Sequence, residues 1–376
     1  MTDMNALRKQ ITTIARAYTQ QVAAMSYDEL VERQQPPWAS IKYGAGGIAH
    51  AMARPNAQRL RLQDLANAER FASEATRRSK ERGAFLGADP SFETMNVDGS
   101  LHFGSAGLQF VRVLADARGS GKANAPLLRA FLQRCRRARG GSSEFLLGNA
   151  GLLSGLLILG RETGEARVAA VADMLAEDLL ERARGEDGWT RATTLGFAHG
   201  RAGIFHALFG WSMAAKRELP SWFFDELARL VADIEREGRM GSPPWGNDLE
   251  RTWCNGAAGL VLLWARAYEH TREAKHRDRA RKAARFILTR TKGWGGDLCC
   301  GLGGRAFALL SMDRIEPDRG WDTHAIEMAT RALNAMLAEP GPWPNGLYHG
   351  FPGFVCLAGD IASAPGKRLG FPLAEG

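Results

Sequence analysis

Seven times along this chain a Gly-x-x-Gly phrase opens an apolar run. The phrases are Gly44-Ala-Gly-Gly47, Gly104-Ser-Ala-Gly107, Gly148-Asn-Ala-Gly151, Gly200-Arg-Ala-Gly203, Gly256-Ala-Ala-Gly259, Gly301-Leu-Gly-Gly304 and Gly350-Phe-Pro-Gly353. Their first glycines are spaced by 60, 44, 52, 56, 45 and 49 residues. That period accommodates one pair of helices and two connections, and it is too long for tetratricopeptide or ankyrin repeats.

Residues after Gly203 (Ile204, Phe205, Ala207, Leu208, Phe209) and after Gly259 (Leu260 to Trp264) are apolar nearly all round, so those helices have to be buried on every side. Intervening segments differ: 166–182 carries an apolar stripe and a charged face, as an outer helix does. The pattern predicts an all-α fold, an α/α toroid of seven inner and seven outer helices forming a single domain over 1–376. The first glycine of each phrase is expected to permit a left-handed or strained turn, and the second to let helix starts approach closely. At least three of the seven phrases are expected to serve packing alone. If all inner helices begin at one end, their positive dipole ends converge there and favour anions.

Composition fits a soluble globular chain of 376 residues: 45% hydrophobic, 24% charged, with ten tryptophans to fill a large core. Leu7, Ile11, Ile14 and Tyr18 mark an amphipathic N-terminal helix rather than a signal peptide. No stretch approaches the roughly 18 unbroken apolar residues of a membrane span. With no export signal and an odd number of cysteines, the expected location is a reducing cytoplasm. The net charge of +8 favours acidic partners. Clusters at Arg134, Arg136, Arg137, Arg139 and at Arg277, Arg279, Arg281, Arg285 read as solvated helix faces, because no nucleic-acid-binding signature accompanies them.

Three of the five cysteines stand at equivalent points of two phrases, in Trp253-Cys254-Asn255-Gly256 and Leu298-Cys299-Cys300-Gly301. Cys254, Cys299 and Cys300 suit a zinc ion, which accepts thiolate sulfur at tetrahedral positions, and three protein ligands leave one position open. His349, in the seventh phrase, is a candidate to close that shell. The competing reading is three buried free thiols in glycine-rich turns. His199, immediately before Gly200, is placed to deprotonate a thiol or protonate a carbanion. His102 and Glu144 lie at the corresponding turns of the second and third phrases, as orienting or proton-relaying groups. Trp253 is expected to shield the metal, Arg251 to hold a substrate carbonyl or carboxylate, and Asp297 to accept a hydrogen bond beside the ligands. The other histidines (His50, His206, His270, His276, His324) lack such placement.

Ala198-His199-Gly200-Arg-Ala-Gly203, Trp253-Cys254-Asn-Gly256 and Leu298-Cys299-Cys300-Gly301, with the seven glycine turns, resemble the lanthionine synthetase C-like family over essentially the whole chain. The resemblance implies a double-layered toroid binding zinc. It also implies Michael-type addition of a peptide cysteine thiol to dehydroalanine or dehydrobutyrine, giving a thioether ring, with His199 protonating the enolate and Arg251 stabilising it. The family phrase is usually Cys-His-Gly; here it is Cys299-Cys300-Gly301, as in an all-cysteine subset of these cyclases. Glu144 replaces the aspartate frequent in bacterial members, and His349 stands where some relatives carry a carboxylate. The implied partners are a dehydrated precursor peptide and a separate dehydratase, and an acidic leader on that peptide would suit the basic charge. Two further readings stand beside this one. The first is addition of glutathione or another small thiol to dehydrated residues, and the second is a noncatalytic peptide-binding toroid.

Overall fold

A computed structural model describes residues 3–34, 36–54, 62–85, 99–185, 188–192, 194–237, 251–289, 295–339 and 345–375. The chain begins with α1 (Met4–Ala23), capped by the Asp3 carboxylate, and the short α2 (Tyr27–Glu32), closed by a Ser26/Glu29 capping box. An alternation follows: α3 (Ala45–Ala53), α4 (Leu62–Arg77), α5 (Ser105–Ser120), α6 (Ala125–Arg137), α7 (Asn149–Thr163), α8 (Ala166–Glu181), α9 (Arg201–Ala215) and α10 (Ser221–Glu237). It ends with α11 (Ala257–Thr271), α12 (Ala274–Ile287), α13 (Leu302–Ile315), α14 (Trp321–Ala338) and α15 (Phe351–Ala362).

The seven odd-numbered helices from α3 to α15 form the inner layer. Each packs on the next, and α15 returns to α3, so the ring closes. The outer layer is α4, α6, α8, α10, α12, α14 and α1; the N-terminal helix completes it by packing on α15 and α14, with Tyr18 stacked on Phe351 at 4.6 Å. The apolar stripe through Ile11 faces inward, and Ile11 is fully buried.

Every inner helix starts at a first glycine, and none of these N-termini has a side-chain cap. In four of them a backbone carbonyl does the work. The first helical N–H donates to the carbonyl seven residues back: Ala45 to Trp38, Asn149 to Ser142, Arg201 to Thr194, Leu302 to Gly295. The expectation of left-handed turns is corrected here. All seven first glycines have negative φ, from −149° to −89°, so sterics rather than handedness demand them. A Cβ on Gly44 would lie 2.0 Å from the Trp38 oxygen that caps α3, and one on Gly148 would lie 2.0 Å from the Ser142 oxygen that caps α7. The fourth glycine is constrained the same way in all seven phrases. Its Cβ would meet the carbonyl oxygen six residues earlier at 2.1 to 2.5 Å, as for Gly203 against Phe197 and Gly259 against Trp253.

The seven turns also hold one another. Lys42 N donates to His102 O, Leu146 N to Ala198 O, Ala198 N to Cys254 O, Cys254 N to Cys299 O, Cys299 N to Tyr348 O and Leu347 N to Ile41 O. The Ser100 hydroxyl bridges the remaining step to Leu146 O. Backbone hydrogen bonds and one serine therefore close a circle at the end where all inner helices begin. Beneath it, the residues three before each first glycine (Ile41, Leu101, Phe145, Phe197, Trp253, Leu298, Leu347) are fully buried and plug the barrel. Phe371 of the C-terminal segment rises from the other side to stack on Trp253 at 4.6 Å.

Burial inside the ring carries a pH dependence. It holds the imidazoles of His102 and His206 down to about 3, whereas an exposed imidazole titrates near about 6.5. The unfolded chain therefore takes up protons that the folded chain refuses. Stability is fully present above about pH 6.5 and is lost as pH falls towards 3, by up to about 2.7 kcal/mol per pH unit for the two groups. The urea midpoint is expected to drop clearly between pH 7.5 and 5.5; an unchanged midpoint would contradict this.

Candidate functional site

Numbering back from each first glycine gives the site its register. One residue before it stand Tyr43, Phe103, Leu147, His199, Asn255, Cys300 and His349; two before it stand Lys42, His102, Leu146, Ala198, Cys254, Cys299 and Tyr348. Because the turns form a closed circle, these positions lie around one end of the barrel. Cysteines, histidines and a lysine occupy seven of them.

Cys254, Cys299 and Cys300 bring their sulfurs within 4.8 Å of one another, with Cys254 and Cys300 at 3.7 Å. Sulfurs bound tetrahedrally to one zinc ion at about 2.3 Å stand about 3.8 Å apart, so the donor set fits a metal of that kind. Its electrostatics agree. Hydrogen bonds from Cys299 and Cys300 hold the Cys254 thiol well below its usual range. The same contacts push Cys299 well above it and Cys300 up to about 12. One thiolate is thus stabilised by two thiols, and a dication is what allows all three to ionise together.

The loop supports this set from behind. The Asp297 carboxylate accepts from the backbone N–H of Cys300 at 2.8 Å and of Gly301 at 3.3 Å. Trp253 is fully buried beneath, stacked on Tyr348 at 5.0 Å and on Phe371 at 4.6 Å; it forms the floor rather than a lid. His349 does not join the cluster. Its Nδ1 lies 4.0 Å from Asp297 and its ring stacks on Tyr43, with burial and then Lys42 holding its pKa down.

On the turn next to that of Cys254, His199 Nδ1 lies 2.9 Å from Glu144 Oε2, both side chains about one-third exposed at 37% and 33%. Glu144 occupies the position four before its glycine. At that position Ser40, Ser100, Thr252 and Asp297 turn back to accept a backbone N–H of their own turn. In the third phrase Ser142 accepts from the Glu144 N–H instead, which leaves the longer Glu144 carboxylate to reach the neighbouring turn. The remaining ring nitrogen of His199 is thereby oriented.

Two expected residues lie elsewhere. His102 is fully buried, with its Nδ1 3.0 Å from the Tyr348 hydroxyl and its ring packed on Phe145; it belongs to the floor. Arg251 turns towards the outer layer, where it donates to the Thr289 hydroxyl at 3.1 and 3.2 Å and lies 4.0 Å from the Phe286 ring centroid. Lys42 went unnoticed in the sequence, although it shares the register of Cys254 and Cys299, and that register is the signal that identifies it.

No helix among the described residues is long and apolar enough to cross a membrane. The fold is similar to that of a solved structure titled nisin cyclase, with a TM-score of 0.67 at 14% identity over 92% of this chain and 93% of that one. A second solved structure, the Lin0763 protein from Listeria innocua, aligns with a TM-score of 0.41 at 14% identity over 78% of this chain and 96% of that one. Residues 39–364 match the family model described as lanthionine synthetase C-like protein. That span takes in all seven glycine turns, the three cysteines and the His199–Glu144 pair, and the chain belongs to the lanthionine synthetase C-like family.

Proposed function

We propose that this protein is a zinc-dependent cyclase that adds a peptide cysteine thiol to a dehydroalanine or dehydrobutyrine residue of the same peptide, forming a thioether ring. The observation that carries this reading is the placement of three mutually close thiols and an acid-oriented imidazole on one closed circle of turns. Cys254, Cys299 and Cys300 would hold the ion. A zinc ion bound by three thiolates offers its open position to a fourth sulfur and keeps that sulfur deprotonated yet nucleophilic. Similarity to nisin cyclase supports the substrate class.

The remaining chemistry belongs to side chains of this chain. His199, oriented by Glu144, takes the proton of the incoming thiol. Sulfur bonds to the β-carbon, the alkene π pair moves onto the adjacent carbonyl oxygen, and the imidazolium returns the proton to the α-carbon. No proton is consumed overall and nothing is oxidised. The converging N-termini of the inner helices make the mouth favourable for the negative charge that develops. Asp297 holds the Cys300 backbone, and Trp253 and His102 keep the floor rigid and dry. A dehydrated precursor peptide, supplied by a separate dehydratase, is the implied substrate.

The test is incubation of the zinc-loaded protein with a synthetic peptide carrying one dehydroalanine and one cysteine, in the presence of glutathione. Ring closure is expected, read as loss of the free thiol at unchanged mass. A glutathione adduct without ring closure would move the activity to small-thiol addition, and neither product would point to a noncatalytic peptide-binding toroid. His199→Asn is expected to keep its zinc and to slow ring closure by about a hundredfold or more, the usual scale of a lost general base. Undiminished turnover would remove His199 from the mechanism.

A further inference from the structure

Lys42 is a charged group at the mouth that the steps above do not employ. It is only 7% exposed, and among the described residues no carboxylate or hydrogen-bond acceptor meets its ammonium. Its Nζ lies instead 4.6 Å from the centroid of the Phe103 ring and 5.0 Å from that of Tyr43. A lysine so deeply buried is ordinarily paired with an anion, and cation–π contact with two rings replaces only part of the lost hydration. The position is fixed from both neighbouring turns. Its N–H donates to His102 O, and a Cβ on Gly346 would lie 2.1 Å from Lys42 O. The charge faces the site: it favours the thiolate of Cys254 and disfavours protonation of His349 and His102.

We infer that Lys42 is an oxyanion-binding residue of the mouth, its ammonium taking the carbonyl oxygen of the dehydroamino acid residue under attack. The inference rests on the thioether-forming reading. As the S–C bond forms at the β-carbon, the π pair displaced through the α-carbon resides on that oxygen, and it returns to carbon when the His199 imidazolium delivers its proton. The two rings flank the ammonium without neutralising it. An aspartate or glutamate in the same place would have cancelled the charge, whereas Phe103 and Tyr43 leave it available to the one anion that appears during the reaction. The guanidinium of Arg251, engaged by Thr289 and Phe286, does not compete for this role. Placement agrees as well, because the circle of turns sets Lys42 across the mouth from His199 and Cys254.

The experiment compares wild type, Lys42→Met and Lys42→Arg as zinc-loaded full-length proteins on the same dehydroalanine–cysteine peptide. Met preserves the apolar stem and removes the charge; Arg keeps the charge. Lys42→Met is expected to lower kcat by about a hundredfold, the scale of losing one oxyanion donor, with KM changed by less than about threefold. Its zinc content and melting temperature should match wild type, and Lys42→Arg should recover at least about tenfold of the loss. A kcat for Lys42→Met within about threefold of wild type overturns the assignment, as does an unchanged kcat with a raised KM. Thioether formation by wild type with an unaffected Lys42→Met sinks the lysine role alone, whereas a wild type inactive towards every thiol sinks the functional reading and the lysine role together. Should Lys42→Met not fold, Lys42→Gln makes the same comparison.

Discussion

Cys299→Ala protein is expected to purify with less than about 0.1 zinc per chain and to form thioether at a rate reduced by about a thousandfold or more. Cys299 supplies one of the three sulfurs, 5% exposed and within 4.8 Å of both partners. Two remaining thiolates fill only two of the four tetrahedral positions. The fold should survive, because the turns bearing Cys254 and Cys299 are already joined by hydrogen bonds from the Trp253 and Cys254 N–H groups to Cys299 O, which the side chain does not touch. The far-ultraviolet circular dichroism of the variant should therefore match wild type. Cys135 and Cys356 are buried, and burial pushes each thiol up to about 12. Alanine at either should leave zinc near one per chain and serves as the control. Full zinc in Cys299→Ala would mean that the metal is held elsewhere, and the proposed chemistry would lose its nucleophile.

Gly203→Ala should be strongly destabilising. The added carbon would lie 2.1 Å from the Phe197 carbonyl oxygen and 2.8 Å from Phe145 Cβ, and neither can retreat. The Phe197 backbone leads directly into Ala198, which joins the circle of turns at both its N–H and its carbonyl, while Phe145 is packed in the barrel plug at 5.0 Å from Phe197. The cost should exceed about 3 kcal/mol, since a rigid core has to shift rather than a side chain rotate. Gly121 sets the scale: it has φ of +74° and open space around it, so alanine there should cost about 1 kcal/mol, from backbone strain alone. Urea unfolding of the two variants checks the ordering, and equal losses would show that the phrase glycines are conformational rather than steric.

Much of the architecture was legible because it is written periodically. An apolar run after each glycine phrase, and an amphipathic segment between phrases, are local properties that each turn of helix enforces for itself. The three cysteines could likewise be read as one cluster, since equivalent positions of a closed repeat face the same opening. Register proved less informative about direction. Arg251 stands three residues before Cys254, yet its long side chain swings to Thr289 and Phe286 on the outer layer. His349 shares the register of Cys300 but stacks on Tyr43. His102 shares that of Cys254 and Cys299 and is drawn into the plug by Tyr348. In each case the deciding neighbour is distant in the sequence.

What the sequence determined by itself is the repeat and the chemistry available at its turns: seven buried helices alternating with seven amphipathic ones, and thiols, imidazoles and a carboxylate at fixed distances from glycine. Tertiary structure alone decided which of those groups meet. Closing the ring brings residues tens of positions apart, such as Glu144 and His199 or Cys254 and Cys300, to 2.9 Å and 3.7 Å. Ring closure also cages Lys42 without a counter-charge. Local propensity carries no information about such encounters, because they depend on the rigid-body packing of whole helices, in which a small change of crossing angle moves a side chain by ångströms.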